Sequence, residues 1–203
     1  MAIHLHKGDL PKDVQFSSSV AIDTETLGLN PARDKLCLIQ LSDGRGDAHI
    51  VQLNRDTYNA PNIKALMEDK NTTKIFHYAR FDIAILKAYL NVECTPIYCT
   101  KIASRLCRTY TDRHGLKNVV SELAGVDLNK QQQSSDWGAE ELSQEQLDYA
   151  ASDVLYLHTV KEKLDSMLAR EGRVDLAQEC FNFLKTRADL DLQGWSEFDI
   201  FQH

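Results

Sequence analysis

Short apolar runs separated by turn residues dominate the first half of the chain: "IHLH", "SVAIDTE", "LCLIQLS" and "AHIVQL", with "NPARD" and "SDGRGD" among the breaks. Runs of this length, bounded by Gly, Pro, Asn and Asp, predict strands, and their close succession predicts an antiparallel meander. Beyond residue 60 the period changes. "NIKALMEDK" predicts a helix, "TKIFHYA" a strand, "RFDIAILKAYL" an amphipathic helix and "TPIYCT" another strand. From Lys101 onward the pattern is mostly helical. Strands first, then strands alternating with helices, predict an α/β chain with a mixed central sheet flanked by helices.

The clearest helical stretch is "LSQEQLDYAASDVLYLHTVKEKLDSMLAREG". Ser143 and Gln146 stand at capping-box spacing at its start, and Gly172 supplies a stop. Leu147, Ala150, Ala151, Val154, Leu157 and Leu164 recur at helical spacing, and a second helix is expected from about Asp175 to Ala188. No repeat, low-complexity tract or Pro/Gly-rich linker interrupts the chain. A single domain over residues 1–203 is therefore expected, with a core at about 20–160 and C-terminal helices and a tail over 161–203.

One element conflicts with its own surroundings. Asp23 and Glu25 lie two residues apart at the end of an otherwise apolar strand, so both carboxylates leave the same face. Two such groups repel each other and resist desolvation unless positive charge lies between them. With 30 acidic residues among 203, about four pairs at this spacing arise by chance, so spacing alone identifies nothing. Asp82, at a strand-to-helix junction, also reads as an ordinary helix N-terminal acid. Tyr149 and Asp153, four residues apart, share a helix face. Taken together, four carboxylates around one sheet with no adjacent Lys or Arg suit hard divalent cations, which prefer oxygen ligands. Two such ions about 3.5–4 Å apart would clamp the attacking and leaving oxygens of a phosphodiester.

Composition narrows the classes without choosing among them. A net charge of −7 argues against tight, unspecific binding of long nucleic acid. No apolar run reaches the ~20 residues of a membrane span, and "MAIHLHKGDLPKDV" has no signal-peptide core, so a cytoplasmic protein with no membrane partner is expected. Five cysteines without a CxxC pair predict buried thiols, neither a zinc framework nor a disulfide scaffold. Lys101, Arg105 and Arg108, at i, i+4 and i+7, predict one basic helix face, either solvated or binding a phosphate.

The order of the acidic motifs resembles the DEDD superfamily of 3′–5′ exonucleases. "IDTET" matches its first motif, "HYARFD" its second and "YAASD" its third; Tyr149 points to the tyrosine (DEDDy) subclass with the RNase D-like enzymes. "GVDLNKQQQSSDW" is similar to the segment leading into the third motif, and the resemblance runs from about Val20 to His158. The short length and "DTETLGLNPARDKL" resemble the compact nano-RNase C branch and, for the latter string, oligoribonuclease. Departures are His77 or Tyr78 where an asparagine is common, and Gly138 where many relatives have an arginine after "SDW".

The resemblance implies a ribonuclease H-like (DnaQ-like) exonuclease fold and release of nucleoside 5′-monophosphates from RNA 3′ ends. It implies that Asp23, Glu25, Asp82 and Asp153 hold two divalent metal ions, Mg2+ or Mn2+, and that Tyr149 orients the attacking water. Substrate contacts would come from Thr26, Leu29, His77 and Arg80. Leu29 is either a wedge between two terminal bases or a turn anchor, and His77 either a phosphate contact or a satisfied strand-end histidine. The expected partners are short single-stranded RNA, from dinucleotides to oligonucleotides, and further copies of the chain. The nano-RNase C resemblance implies a homo-oligomer, an octameric ring. The tail "LDLQGWSEFDIFQH" concentrates Trp195, Phe198, Ile200 and Phe201, which must dock on their own subunit or on a neighbour. Three rivals remain: an RNase D-like enzyme acting on tRNA, a DNA exonuclease, and an inactive scaffold of the same fold. Mn2+-dependent monophosphate release from a dinucleotide distinguishes them.

Overall fold

The computed structural model describes residues 2–129, 132 and 134–203. Six strands form one sheet: β1 (Ile3–Lys7), β2 (Ser19–Thr26), β3 (Leu36–Ser42), β4 (Ala48–Gln52), β5 (Thr73–Phe76) and β6 (Ile97–Cys99). Their spatial order is β1-β4-β3-β2-β5-β6. β2, β3 and β4 form the expected antiparallel meander. β1 departs from it, pairing parallel with β4 at the sheet edge. The ten residues or so after Lys7 carry the chain past β4 and β3, and β1 covers the edge β4 would otherwise expose. β5 and β6 continue the sheet in parallel on the other side of β2. The result is the mixed sheet that the element pattern predicts.

Among the described residues seven α-helices follow the predicted segments: α1 (Pro61–Glu68), α2 (Ala79–Leu90), α3 (Thr100–Cys107), α4 (Leu116–Ala124), α5 (Gln144–Leu155), α6 (Leu157–Arg170) and α7 (Val174–Leu190). Alternation along the strands sorts the core into two faces. Ile22, Ile39 and Leu41 face a large cluster with Ile63 and Met67 of α1 and Ile83 and Leu86 of α2. Leu38 and Ile50 face the opposite way, packing with Trp137 and Ala150 under α5. The Ser143–Gln146 capping box is formed reciprocally at the start of α5.

Two further expectations change. The stretch from Ser143 to Gly172 is not one helix: Tyr156 (φ −105°, ψ −3°) separates α5 from α6. α5 lies across β2, β3 and β4, whereas α6 packs on α3 and α4, and one straight rod cannot bury both apolar stripes. Nor do Lys101, Arg105 and Arg108 form one face. Arg105 is exposed, but Arg108 leaves the helix at the C-cap and is wholly buried. Its guanidinium pairs with Glu122 and donates to Ser104 Oγ (2.8 Å) and the Arg113 carbonyl (3.0 Å), tying α3 to α4. Lys130, Gln131 and Gln133 of the segment resembling the approach to the third motif lie outside the described residues. Among the described residues no helix is long and apolar enough to cross a membrane.

Candidate active site

The site forms at the carboxyl ends of β2 and β5, parallel neighbours in mid-sheet. β2 delivers Asp23 and Glu25, and its register with β3 shifts between Glu25 and Thr26, where the ladder nears its end. The chain then enters a compact turn. Asp34 accepts from the Asn30 N–H (2.9 Å) and pairs with Arg33 (2.6 Å). A Cβ on Gly28 would fall 2.2 Å from the Asp34 carboxylate, so only glycine permits this closure. The turn holds Leu29 89% exposed at the rim of the site cavity.

After β5 the chain bends sharply. Tyr78 adopts φ +75°, a left-handed conformation that a non-glycine residue takes at a cost of ~1–3 kcal/mol. Its ring lies under the Lys101 ammonium, 4.2 Å from the centroid. The bend starts α2 so that Asp82, 3% exposed, sits in the first turn and accepts from Thr24 Oγ1 (2.7 Å). From the far side α5 contributes Asp153 and Tyr149. Asp23, Glu25 and Asp153 each place a carboxylate oxygen within 4.8 Å of the others. Asp82 lies outside that triplet but close enough for its charge to act on Glu25 and for Asp23 to act on it.

The electrostatics express the conflict foreseen on β2. Burial pushes the Asp23 carboxyl up to about 7. Glu25 is pushed up to about 10, by burial first and then by the charges of Asp23, Asp153 and Asp82. Asp82 is raised well above the carboxylate range, again by burial and then Asp23. Tyr149, hydrogen-bonded to Asp153, is also pushed up by burial and by the neighbouring carboxylates. A donor set made wholly of carboxylate oxygens at such separations fits a hard divalent cation such as Mg2+ or Mn2+.

Asp23, Glu25, Tyr149 and Asp153 line a cavity of about 320 Å3, with Asp82 buried behind its wall. Thr26, Leu29 and His77 line it too, joined by Lys101 of the expected basic stripe and by Lys117 and Asn129, whose part single-residue spacing did not reveal. His77 Nδ1 lies 2.8 Å from Thr100 Oγ1, which donates its one proton to the Phe76 carbonyl (3.1 Å). The Nδ1–H is therefore the donor of that pair. Arg80 is engaged elsewhere. Its guanidinium grips Asp191 (2.6 and 2.7 Å) and the Ser196 carbonyl (2.7 Å), joining α2 to the turn after α7. A larger cavity of about 740 Å3, lined by Lys7, Arg55, Trp137 and Glu140, holds no converging ligand group among the described residues. Chemistry, not volume, selects the site.

Residues 8–169 match the family model described as 3′-5′ exonuclease. The chain belongs to the 3′–5′ exonuclease family. Within it the chain is RNase D-like: it is 34% identical over 160 residues to a ribonuclease D from Acidiphilium cryptum, a match covering 79% of this chain and 40% of that one. It thus spans about two-fifths of the length of the curated relatives it matches. Solved structures match end to end. Brucella melitensis NrnC with bound Mg2+ is 54% identical with a TM-score of 0.96, covering 100% of both chains. The same nuclease bound to pGG is 55% identical with a TM-score of 0.97, covering 100% of this chain and 99% of that one. The fold is accordingly the DnaQ-like exonuclease fold that the motif order implied, and the nano-RNase C resemblance holds.

The raised carboxyls make a pH prediction. Asp23 rises from an ordinary value of 3.8 to about 7. The folded state therefore holds more protons than the unfolded state in that window, and stability falls as pH rises through it. Without metal, the melting temperature should be higher at pH 5 than at pH 8 by roughly 5 °C or more. Mn2+ at pH 8 should restore it, and Asp23→Asn should lessen the dependence, with Glu25 and Asp82 keeping their share. A metal-free melting temperature that rises from pH 5 to pH 8 would contradict the buried-carboxylate account.

Proposed function

We propose that this protein is a metal-dependent 3′–5′ exoribonuclease of the DEDDy class that releases nucleoside 5′-monophosphates from short oligoribonucleotides, dinucleotides included. The observation that carries this reading is the convergence of Asp23, Glu25 and Asp153 within 4.8 Å at the floor of a cavity rimmed by Leu29. The end-to-end likeness to NrnC bound to pGG, two nucleotides, supports the substrate length. Asp23, Glu25, Asp82 and Asp153 would hold two divalent cations, Mg2+ or Mn2+. Bound there, these supply Lewis acidity at the phosphoryl and leaving oxygens.

The remaining work belongs to the chain's own groups. Tyr149 keeps its proton, since burial and surrounding carboxylates hold its phenol up. With that proton directed to Asp153, its oxygen accepts from the attacking water and aims the water's free lone pair at phosphorus. Orientation, not proton abstraction, is its role. Leu29 offers exposed apolar surface to the terminal bases, Glu25 is the ligand for the terminal ribose hydroxyls, and Thr26 and His77 contact the sugar-phosphate. Arg80 is held by Asp191 and has no part in substrate binding in this reading. A cytoplasmic site of action accords with five free cysteines.

Self-association completes the proposal. Trp195, Phe198, Ile200 and Phe201 are all exposed, although Arg187 and Arg80 fasten the backbone carbonyls of Trp195 and Ser196. A tail fixed by its backbone and by the contact of the Phe201 ring with Phe183 (5.9 Å between centroids), yet still exposing its apolar side chains, suits a neighbouring subunit, and a closed ring such as an octamer would bury it. A ring would also exclude structured RNA by shape.

The first experiment is release of labelled monophosphate from a diribonucleotide. It should require Mn2+ or Mg2+, cease in EDTA, and cease in Asp153→Asn with the fold kept. Catalytic efficiency should not rise steeply from two to seven nucleotides, and salt dependence should be shallow, as few phosphates are contacted. Faster cleavage of a deoxydinucleotide or of tRNA would overturn the substrate assignment.

Tyr149→Phe should lower kcat about 10²–10⁴-fold with metal binding kept. Near-normal turnover would reassign the tyrosine to packing.

Removing residues 195–203 should give smaller species by light scattering. An unchanged assembly size would place the subunit contact elsewhere.

A further inference from the structure

Cross-strand pairing sets Gln40 of β3 opposite Asp23 of β2 on one side and Ile50 of β4 on the other. Directly opposed residues share a sheet face, with Cβ atoms about 5 Å apart. That face lies under α5, against the apolar cluster of Leu38, Ile50, Trp137 and Ala150. Gln40 is wholly buried. Neither its amide nitrogen nor its amide oxygen has a hydrogen-bond partner among the described residues. Burying an unpaired carboxamide is costly, and Leu or Met, of similar volume, would occupy the position without that cost. Something other than packing keeps a carboxamide beside Asp23.

We propose that Gln40 is a positioning residue for the metal cage: its amide N–H donates to the Asp23 carboxylate and fixes its orientation when a divalent cation is bound. The inference rests on the metal-dependent reading above. Asp23 already accepts from the Thr24 backbone N–H. A carboxylate has about four lone-pair sites, so that bond and metal ligation leave room for the amide. Ligating carboxylates in metal sites are commonly held by such a neighbour, and losing it typically weakens metal affinity by about 10–100-fold.

Calorimetric titration of the 203-residue chain with Mn2+, paired with denaturation of the metal-free form, tests this. Gln40→Leu and Gln40→Met should weaken Mn2+ binding at least about tenfold. The metal-free variants should be as stable as the parent or more so, because a buried unpaired amide is gone. A packing role would give the reverse: lowered metal-free stability with affinity kept. That reverse result, affinity within twofold of the parent, or failure of both variants to fold without metal would overturn the proposal. Absence of Mn2+ binding by the unmodified protein would instead overturn the metal reading itself.

Discussion

Mutual repulsion among buried carboxylates is the constraint around which the rest of the molecule is organised. Asp23, Glu25 and Asp153 converge in a setting that raises the proton affinity of Asp23 and Glu25, with Asp82 adding to the field. No local hydrogen bond offsets that cost fully; the scaffold has to hold the groups in place. It does so by burying both faces of β2 and β3, with Ile22 and Ile39 on one side and Leu38 on the other. The left-handed Tyr78 is a second local cost at the same place, held by the packing of α2 behind it. Strain and repulsion collect at one place, and binding of a cation would relieve the repulsion.

Cations nearby are distributed in a way that leaves the carboxylates uncompensated. Arg108 is spent on Glu122 and the loop before α4, and Arg80 and Arg187 share Asp191. Each pair fixes an element bordering the site: α4 supplies Leu116 and Lys117 to its wall, and α2 carries Asp82. Among the described residues Lys101, its ammonium over the Tyr78 ring, and Lys117 are the lysines lining the cavity. A wall with so few phosphate partners gains little from each added nucleotide. The charge distribution of the fold and the proposed preference for short substrates would thus be one property.

Strands, helix starts and the four acids were legible because each leaves a periodic or positional mark: alternation, the Ser143–Gln146 box, and i+2 and i+4 spacing. What escaped was set by partners distant in sequence. Nothing in "IHLH" states whether its edge pairs with β2 or β4, or in which direction, because parallel and antiparallel pairing use the same alternation. The break at Tyr156 follows from two different packing partners, not from a Gly or Pro. Arg108 matched a helical stripe until its backbone left the helix. Thr24 was hidden because alternation assigns it to the face opposite Asp23, yet α2 brings Asp82 to it. Gln40 had a signal, one carboxamide inside "LCLIQLS", but its meaning required knowing that Asp23 lies opposite.

The approach of α5 to the sheet explains why an aspartate, with its short side chain, suffices as the third-motif acid. Ala150 and Ala151, both wholly buried, lie on the inward side of α5, next to the face that carries Tyr149 and Asp153. Small side chains there let the helix axis lie close over β2 and β3, since interaxial spacing follows the size of the residues at the contact. Larger residues would lift the helix, and Asp153 could not then reach the oxygens of Asp23 and Glu25. Tyr149, one turn earlier, is held by the ring of Trp137 at 5.9 Å, which leaves its hydroxyl directed to Asp153. The same two alanines that look like unremarkable helix formers in the sequence therefore set the distance across which the site closes. Packing geometry, read through residue size, determines whether the carboxylates meet at all.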